Sequence, residues 1–241
     1  MNSSQALAQS LFGNQAVHDF LRLLTAVKDD DGRPLLGEGQ ASSDNFSMEF
    51  HVNYLGERHP TRLDVHFSGE YQVAFECRLR ELEVGPCSRP GLKPSDSNYT
   101  RDHCNGTYSK QRARTERCSF TQRGALYWKY VPQLFRWTND RDWNPCPLCY
   151  NYQLVRNVLA VGVRPDGSVS TNNGHAVVVY DERNPAFQKG GSGLQAYETT
   201  QQALQEPTML CKCSWQRIIG HLRNKNILSW LTEELALKYG L

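Results

Sequence analysis

The chain has 241 residues, of which 39% are hydrophobic and 22% charged, and its formal net charge is only +2. That length suffices to bury a substantial core, and the composition excludes a disordered or fibrous chain. No run approaches the roughly 18 apolar residues of a membrane span. The first residues lack the basic, apolar and small-residue succession of an export signal, so a cytoplasmic protein with no membrane partner is expected. Eight cysteines in that setting argue against a disulfide scaffold.

Residues 4–28 carry an apolar stripe (Leu7, Leu11, Val17, Phe20, Leu21, Leu24) that predicts a helix interrupted at Gly13. Asp29 to Gly32, then Pro34, Gly37 and Gly39, predict a loop running to about Asp44. The period then changes from 3.6 to 2. Phe46, Met48, Phe50, Val52 and Tyr54 alternate with Ser47, Glu49, His51 and Asn53, which predicts a half-buried strand. Leu63, Val65 and Phe67 alternate with Asp64 and His66 in a second strand, and Tyr71 to Leu79 forms a third. Short turns between the three predict an antiparallel meander or part of a mixed sheet.

From Glu81 to about 121 the chain is rich in Gly, Pro, Ser, Asn and Arg and has almost no apolar period. A loop this long is uncommon in a compact protein, so it reads as either functional or partly disordered. Helical signal returns over 122–137, weakened by Pro132, and again after Pro147, where Tyr150, Leu154, Asn157 and Val161 share a stripe. Gly174 to Tyr180 reads as a central strand buried on both faces, residues 187–196 as a flexible loop, and Trp215 onward as helices with Ser214 as N-cap. The order predicts one α/β domain over 1–241, a mixed central sheet flanked by helices, with a basic, cysteine-containing insertion at about 81–121.

Period two places Glu76 and Arg78 on one face of the third strand, with Asp64 across the turn. Carboxylates gathered this way are costly unless a counter-charge offsets their repulsion. A hard cation such as Mg²⁺ or Mn²⁺ would do so through oxygen ligands, with the Cys77 carbonyl as a further donor, and would polarise a phosphoryl oxygen. Glu49, on the preceding strand, is the candidate for an additional acidic ligand. The plainer alternative is a solvated polar strand face.

Arg62-Leu-Asp64 and Val73-Ala-Phe-Glu-Cys-Arg78, followed by Glu81, resemble the signature of the PD-(D/E)XK restriction-endonuclease-like superfamily. Further strings (Pro147 to Asn157, Val178 to Pro185, Cys213 to Gln216, Leu237 to Gly240) are similar to a little-characterised bacterial subgroup of it. The resemblance implies a restriction-endonuclease-like core and hydrolysis of nucleic-acid phosphodiesters with Mg²⁺ or Mn²⁺. It also implies that a helical glutamine, Gln153 here, supports the metal site or contacts nucleic acid. The usual lysine position holds Arg78, which keeps the charge but does not readily act as a base. A catalytically inactive DNA-binding or structural subunit is therefore the alternative function.

Residues 77–129 hold 11 Lys/Arg against 5 Asp/Glu, a balance that suits a polyanion. Arg101, Lys110, Arg112, Arg114, Arg117 and Arg123, with Tyr99, Tyr108 and Tyr127 among them, are the candidate nucleic-acid contacts, and DNA is the expected partner with RNA left open. A homodimer or a larger nucleic-acid-processing complex is compatible with the sequence. Cys146-Pro-Leu-Cys149 has zinc-knuckle spacing. With Cys87 and Cys118 it offers four thiolates for Zn²⁺ or, as some nucleases resembling this superfamily carry, an iron–sulfur cluster. Free, partly buried thiols are the default reading.

Overall fold

A computed structural model describes residues 3–111 and 113–241. Its frame is a five-stranded sheet in the order β1 (Phe46–Val52), β2 (Thr61–Phe67), β3 (Gln72–Cys77), β4 (Gly174–Tyr180) and β5 (Leu210–Ser214). Short turns join the first three strands in antiparallel fashion, and β4 and β5 lie parallel to β3. Parallel neighbours need crossovers. Helices α1 (Ser4–Ala8) and α2 (Asn14–Val17) precede β1; between β3 and β4 run α3 (Tyr99–Asp102), α4 (Ser119–Gln122), α5 (Tyr127–Leu134) and α6 (Leu148–Gly162), and between β4 and β5 runs α7 (Ser192–Ala203). The sheet is mixed and flanked by helices, as the order of elements predicts.

Each face of the sheet buries its own core. On one, Leu63, Ala74, Ala176 and Val178 meet Leu134, Leu154, Val158 and Val161 of α5 and α6. On the other, Val65, Phe67, Phe75, Val177 and Val179 meet Leu11 and Phe12 near the N-terminus and α8 (Trp215–Asn224) and α9 (Ser229–Tyr239). Phe12 anchors this side, with ring centroids 5.3 Å from Phe75 and 6.0 Å from Trp215. Strand β4 is buried on both sides because helices cover both.

One departure from strict alternation decides where the polar groups lie. Phe46 and Met48 pack with Val65 and Phe67 on the α8 side, whereas Phe50 and Val52 pack with Leu63 on the α6 side. The paired strands change face between Met48↔Val65 and Phe50↔Leu63. At that step Glu49 has φ +54°, a left-handed conformation rare outside glycine. Leu63 thus does not share the face of Val65 and Phe67, against the simple period-two expectation.

Three other expectations are corrected, and one strand appears that the sequence did not suggest. The N-terminal helix does not run to 28: Ser4–Ala8 passes through a π-turn (Gln9–Gly13) into Asn14–Val17, Asp19 turns at φ +57°, and a 3₁₀ turn follows at Leu21–Thr25. The 122–137 helix contracts to α5, with Pro132 inside it and Phe135 already extended. Residues 192–196 begin α7 rather than a loop. Strand β5 was hidden in five residues, with Cys211 and Cys213 buried and only Lys212 partly open, tied to Asp30. Ser214 caps α8, its hydroxyl accepting from the Arg217 N–H at 3.1 Å.

Gly174 opens β4 where a Cβ would lie 2.2 Å from the Gln72 carbonyl oxygen of β3. The obstacle is backbone, so it cannot rotate away. We expect Gly174→Ala to lower stability by about 1–3 kcal/mol, the usual cost of overpacking. Urea unfolding of the variant would check this; an unchanged midpoint would refute it.

Candidate active site

The ladder between β2 and β3 is registered at Phe67↔Val73, His66↔Ala74 and Val65↔Phe75. One step further the strands part. The Cys77 N–H donates to Asp64 Oδ2 at 2.7 Å instead of to a backbone carbonyl. A buried N–H needs an acceptor, and here a side chain supplies it. Asp64 is thereby fixed at the opening, beside Glu76 on the adjoining strand.

Glu76 is buried, at 3% exposure. Its carboxylate accepts from Gln153 Nε2 at 2.7 Å and from Asn157 Nδ2 at 2.6 Å, and Arg78 Nη2 stands 2.7 Å from Oε1. The same Arg78 nitrogen donates to Gln153 Oε1, which closes a ring of Glu76, Arg78 and Gln153. Trp215 Nε1 donates to the Arg78 carbonyl at 2.9 Å and anchors the strand end from the opposite core. Spacing of four places Gln153 and Asn157 on one face of α6.

The structure thus gathers Asp64, Glu76, Arg78, Gln153 and the backbone of Cys77. The Cys77 side chain points the other way, into the α8-side core. Glu49 stands nearby, and its charge helps to raise the Asp64 carboxyl. Its own oxygens are committed to Arg62 at 2.8 Å and Gln5 at 3.0 Å. Among the described residues no three Asp, Glu, His or Cys side chains form a group able to hold a cation. His66 is turned away from Asp64's role: it is buried, stacks on Phe50 and meets Gln72 Oε1 at 3.0 Å.

Sequence reasoning, which places Asn157 beside Gln153 on the helix, missed Gly85. Gly85 (φ +62°) lies against Gln153, where a Cβ would stand 2.0 Å from Gln153 Oε1. Its carbonyl accepts from the Gln153 N–H at 3.1 Å. The Gly85-Pro86 pair signals a turn in the sequence, but nothing local to it points to α6.

Burial, and after it the Glu76 charge, lifts the Asp64 carboxyl to about 7, against the opposing Cys77 N–H and Arg78. An unfolded Asp ionises near 3.9. Between those values the folded chain keeps a proton that the unfolded chain has lost, so stability falls as pH rises through the window. Asn157 Oδ1 and Arg78 Nε are buried without partners among the described residues, which leaves one acceptor and one donor unused at the site.

The basic candidates do not form one surface. Arg101 and Arg123 pair with buried Asp102 at 3.1 and 2.6 Å. Arg114 reaches the His103 carbonyl and Gln122, and Arg117 pairs with Asp142 at 2.9 Å. Lys110 is exposed beside Arg114, and Arg112 lies outside the described residues. Tyr108 and Tyr127 are buried, the first stacked on Trp128, which removes them from the proposed base-stacking set. Cys87, Cys118, Cys146 and Cys149 line one small cavity together with Cys104. All five thiols are free, and burial raises Cys87, Cys118, Cys146 and Cys149 above the ordinary thiol value.

Compared with known families, residues 1–240 match the model described as Restriction Endonuclease associating with ARP. No curated protein and no solved structure matches.

Two outcomes follow from the geometry. Gly85→Ala should displace Gln153 and cost about 1–3 kcal/mol. Combined with Gln153→Ala in a double-mutant cycle, its effect should be less than additive, because both lose the same amide contacts; full additivity in urea unfolding would refute the coupling. Asp64→Asn should remove part of the loss of thermal stability between about pH 4 and pH 7 in cation-free buffer. Parallel pH profiles for variant and wild type would show that Asp64 is not the group responsible.

Proposed function

The chain belongs to this restriction-endonuclease family, within the PD-(D/E)XK restriction-endonuclease-like superfamily, and from that premise we propose that it hydrolyses DNA phosphodiesters with a divalent cation. The observation that carries the reading is the convergence of Asp64, Glu76, Arg78 and Gln153 where β2 and β3 part. Two carboxylates of like charge, one lifted by the other, form a hard-oxygen donor set that suits Mg²⁺ or Mn²⁺. Asp64 and Glu76 would hold the ion, with the Cys77 carbonyl as the third donor. When bound, the cation neutralises the pair and polarises a phosphoryl oxygen.

The chain's own residues supply the rest. Arg78, freed from Glu76, turns its guanidinium to the phosphate, where charge gathers in the transition state. Gln153 lies between Glu76 and Arg78 and keeps both aimed at the opening. Asp64 must be ionised to serve, so its raised carboxyl sets an acid limb on the reaction. RNA, a second copy of the chain or a larger nucleic-acid-processing complex stand as further partners of this reading.

A second reading draws on one specific observation. Glu76 is already satisfied by Arg78, Gln153 and Asn157, as expected of a subunit that keeps the fold and binds DNA without cutting it. Incubating wild type and Glu76→Ala with linear, nicked and single-stranded DNA in Mg²⁺, Mn²⁺ or EDTA separates the two. We expect cation-dependent cleavage by wild type alone. At subsaturating cation its single-turnover rate should fall below about pH 7, by up to tenfold per pH unit, as Asp64 takes up a proton in competition with the ion. DNA binding with no cleavage in any condition would establish the inactive subunit, and equal cleavage by both proteins would place the activity elsewhere.

A further inference from the structure

A cavity of about 460 Å³ opens beside the candidate site, between the β1–β2 turn, α4 and α6. Its lining holds Arg58, Arg89, Arg101, Arg123 and Arg156 against two carboxylates, Glu57 and Asp102. Asp102 is 1% exposed and takes ion pairs from Arg89, Arg101 and Arg123 at 3.0, 3.1 and 2.6 Å. One buried carboxylate therefore fixes three guanidinium groups and leaves a surplus of positive charge. Among the described residues Arg58 is exposed and has no ion pair, and the Nε atoms of Arg89 and Arg156 are buried without partners.

The arginines have an aromatic wall. Phe120 and Tyr152 line the same cavity and stack with centroids 5.1 Å apart and planes 7° from parallel. Arg89 lies over the Phe120 ring at 4.5 Å. Helix α6 connects this cavity to the candidate site. Gln153 and Asn157 hold Glu76, while Tyr152 and Arg156 face the cavity, and Arg156 stands close enough to feel the Glu76 charge.

We propose that this cavity binds the phosphorylated end of a nucleic-acid strand, a terminal phosphate monoester with its sugar and base, and presents the adjoining residues to the Asp64–Glu76 site. Forked guanidinium donors match phosphate oxygens, and a dianionic monoester gains more from several of them than an internal diester does. The volume is at the small end of ligand pockets, room for one nucleotide rather than a duplex. The Phe120 and Tyr152 faces are taken by each other and by Arg89 and Arg156, so the pair offers its ring edges as an apolar wall for the sugar and base. The inference deepens the proposed nuclease reading and rests on it for the meaning of the end, although binding itself needs no cleavage.

The test uses the full chain in EDTA, so that cutting plays no part. Three fluorescent single-stranded oligonucleotides of one sequence would be compared by anisotropy, one with a 5′-phosphate, one with a 3′-phosphate and one with hydroxyls at both ends. We expect one phosphorylated end to bind about tenfold more tightly than the hydroxyl control, the worth of a charge-assisted hydrogen-bond pair, and the favoured arm identifies the end. Arg58→Gln, at an exposed position, should bring that ratio close to one while weak binding of the control persists. Arg156→Gln should do the same from inside the cavity. Equal affinity for all three strands, or an unchanged preference in Arg58→Gln and Arg156→Gln alike, would overturn the proposal. End preference without cleavage would retain the cavity and reject the nuclease; cleavage without end preference would do the reverse.

Discussion

The hydrogen bond from the Cys77 N–H to Asp64 is the contact on which the site depends. A sheet normally closes its ladder with backbone carbonyls, because an unpaired buried N–H costs about as much as a lost hydrogen bond. Here β2 leaves β3 after Val65, and a carboxylate fills the gap. The substitution brings a negative charge to the sheet at the place where Glu76 contributes another. Glu76 is buried and Asp64 half-buried, so solvent screens the pair poorly, the region is a source of electrostatic strain, and Arg78 offsets only part of it. The face change at Glu49 belongs to the same irregularity: the left-handed residue in β1 sits opposite Asp64, between Met48↔Val65 and Phe50↔Leu63. Strain of this kind persists only where the surroundings enforce it, and two hydrophobic cores hold the strands on either side of the step.

Helix α6 is the second organising element. Its apolar residues, Leu154, Val155, Val158 and Val161, lie in the core under the sheet. That packing fixes the rotation of the helix, and the rotation decides where the polar residues point. With 3.6 residues per turn, Gln153 and Asn157 share a line to Glu76, whereas Tyr152 and Arg156 share a neighbouring line to the arginine-rich cavity. Gly85 can approach the helix closely because it carries no side chain. The 81–121 segment is therefore seated on α6 at one end, and Asp102 gathers its arginines at the other.

Much of this was legible in the sequence, for identifiable reasons. Strands β1 to β3 announce themselves by alternation, β4 by a run of Val, and α6 by its stripe. Asp64, Glu76, Arg78 and Gln153 could be named because family resemblance supplies roles that spacing alone does not. What escaped depends on single residues or on distant partners. The left-handed turn at Glu49 has no signature, since glutamate in a strand reads as an exposed position, so Leu63 was grouped with Val65. Strand β5, at five residues, is too short to show a period. Helix α7 begins inside Gly-Gly-Ser-Gly, which reads as a loop. The pairing of Arg101 and Arg123 with Asp102 is invisible in one dimension, and it turns two expected nucleic-acid contacts into parts of a cavity wall.

The arginine at position 78 changes the logic of the proposed site rather than merely weakening it. A lysine would present one point charge, whereas the guanidinium bridges Glu76 and Gln153 at once. In this arrangement it stands in for the cation, since it is the positive charge that lets Glu76 remain buried. Removing such a partner without replacement costs about 3–5 kcal/mol, so Arg78 leaves Glu76 only if another positive charge arrives. On the proposed reading Asp64 and Glu76 would hold a divalent ion that supplies that charge, and the Arg78 guanidinium would then be available to a phosphate. Cation and nucleic acid would then bind with positive coupling, each favouring the conformation that the other needs.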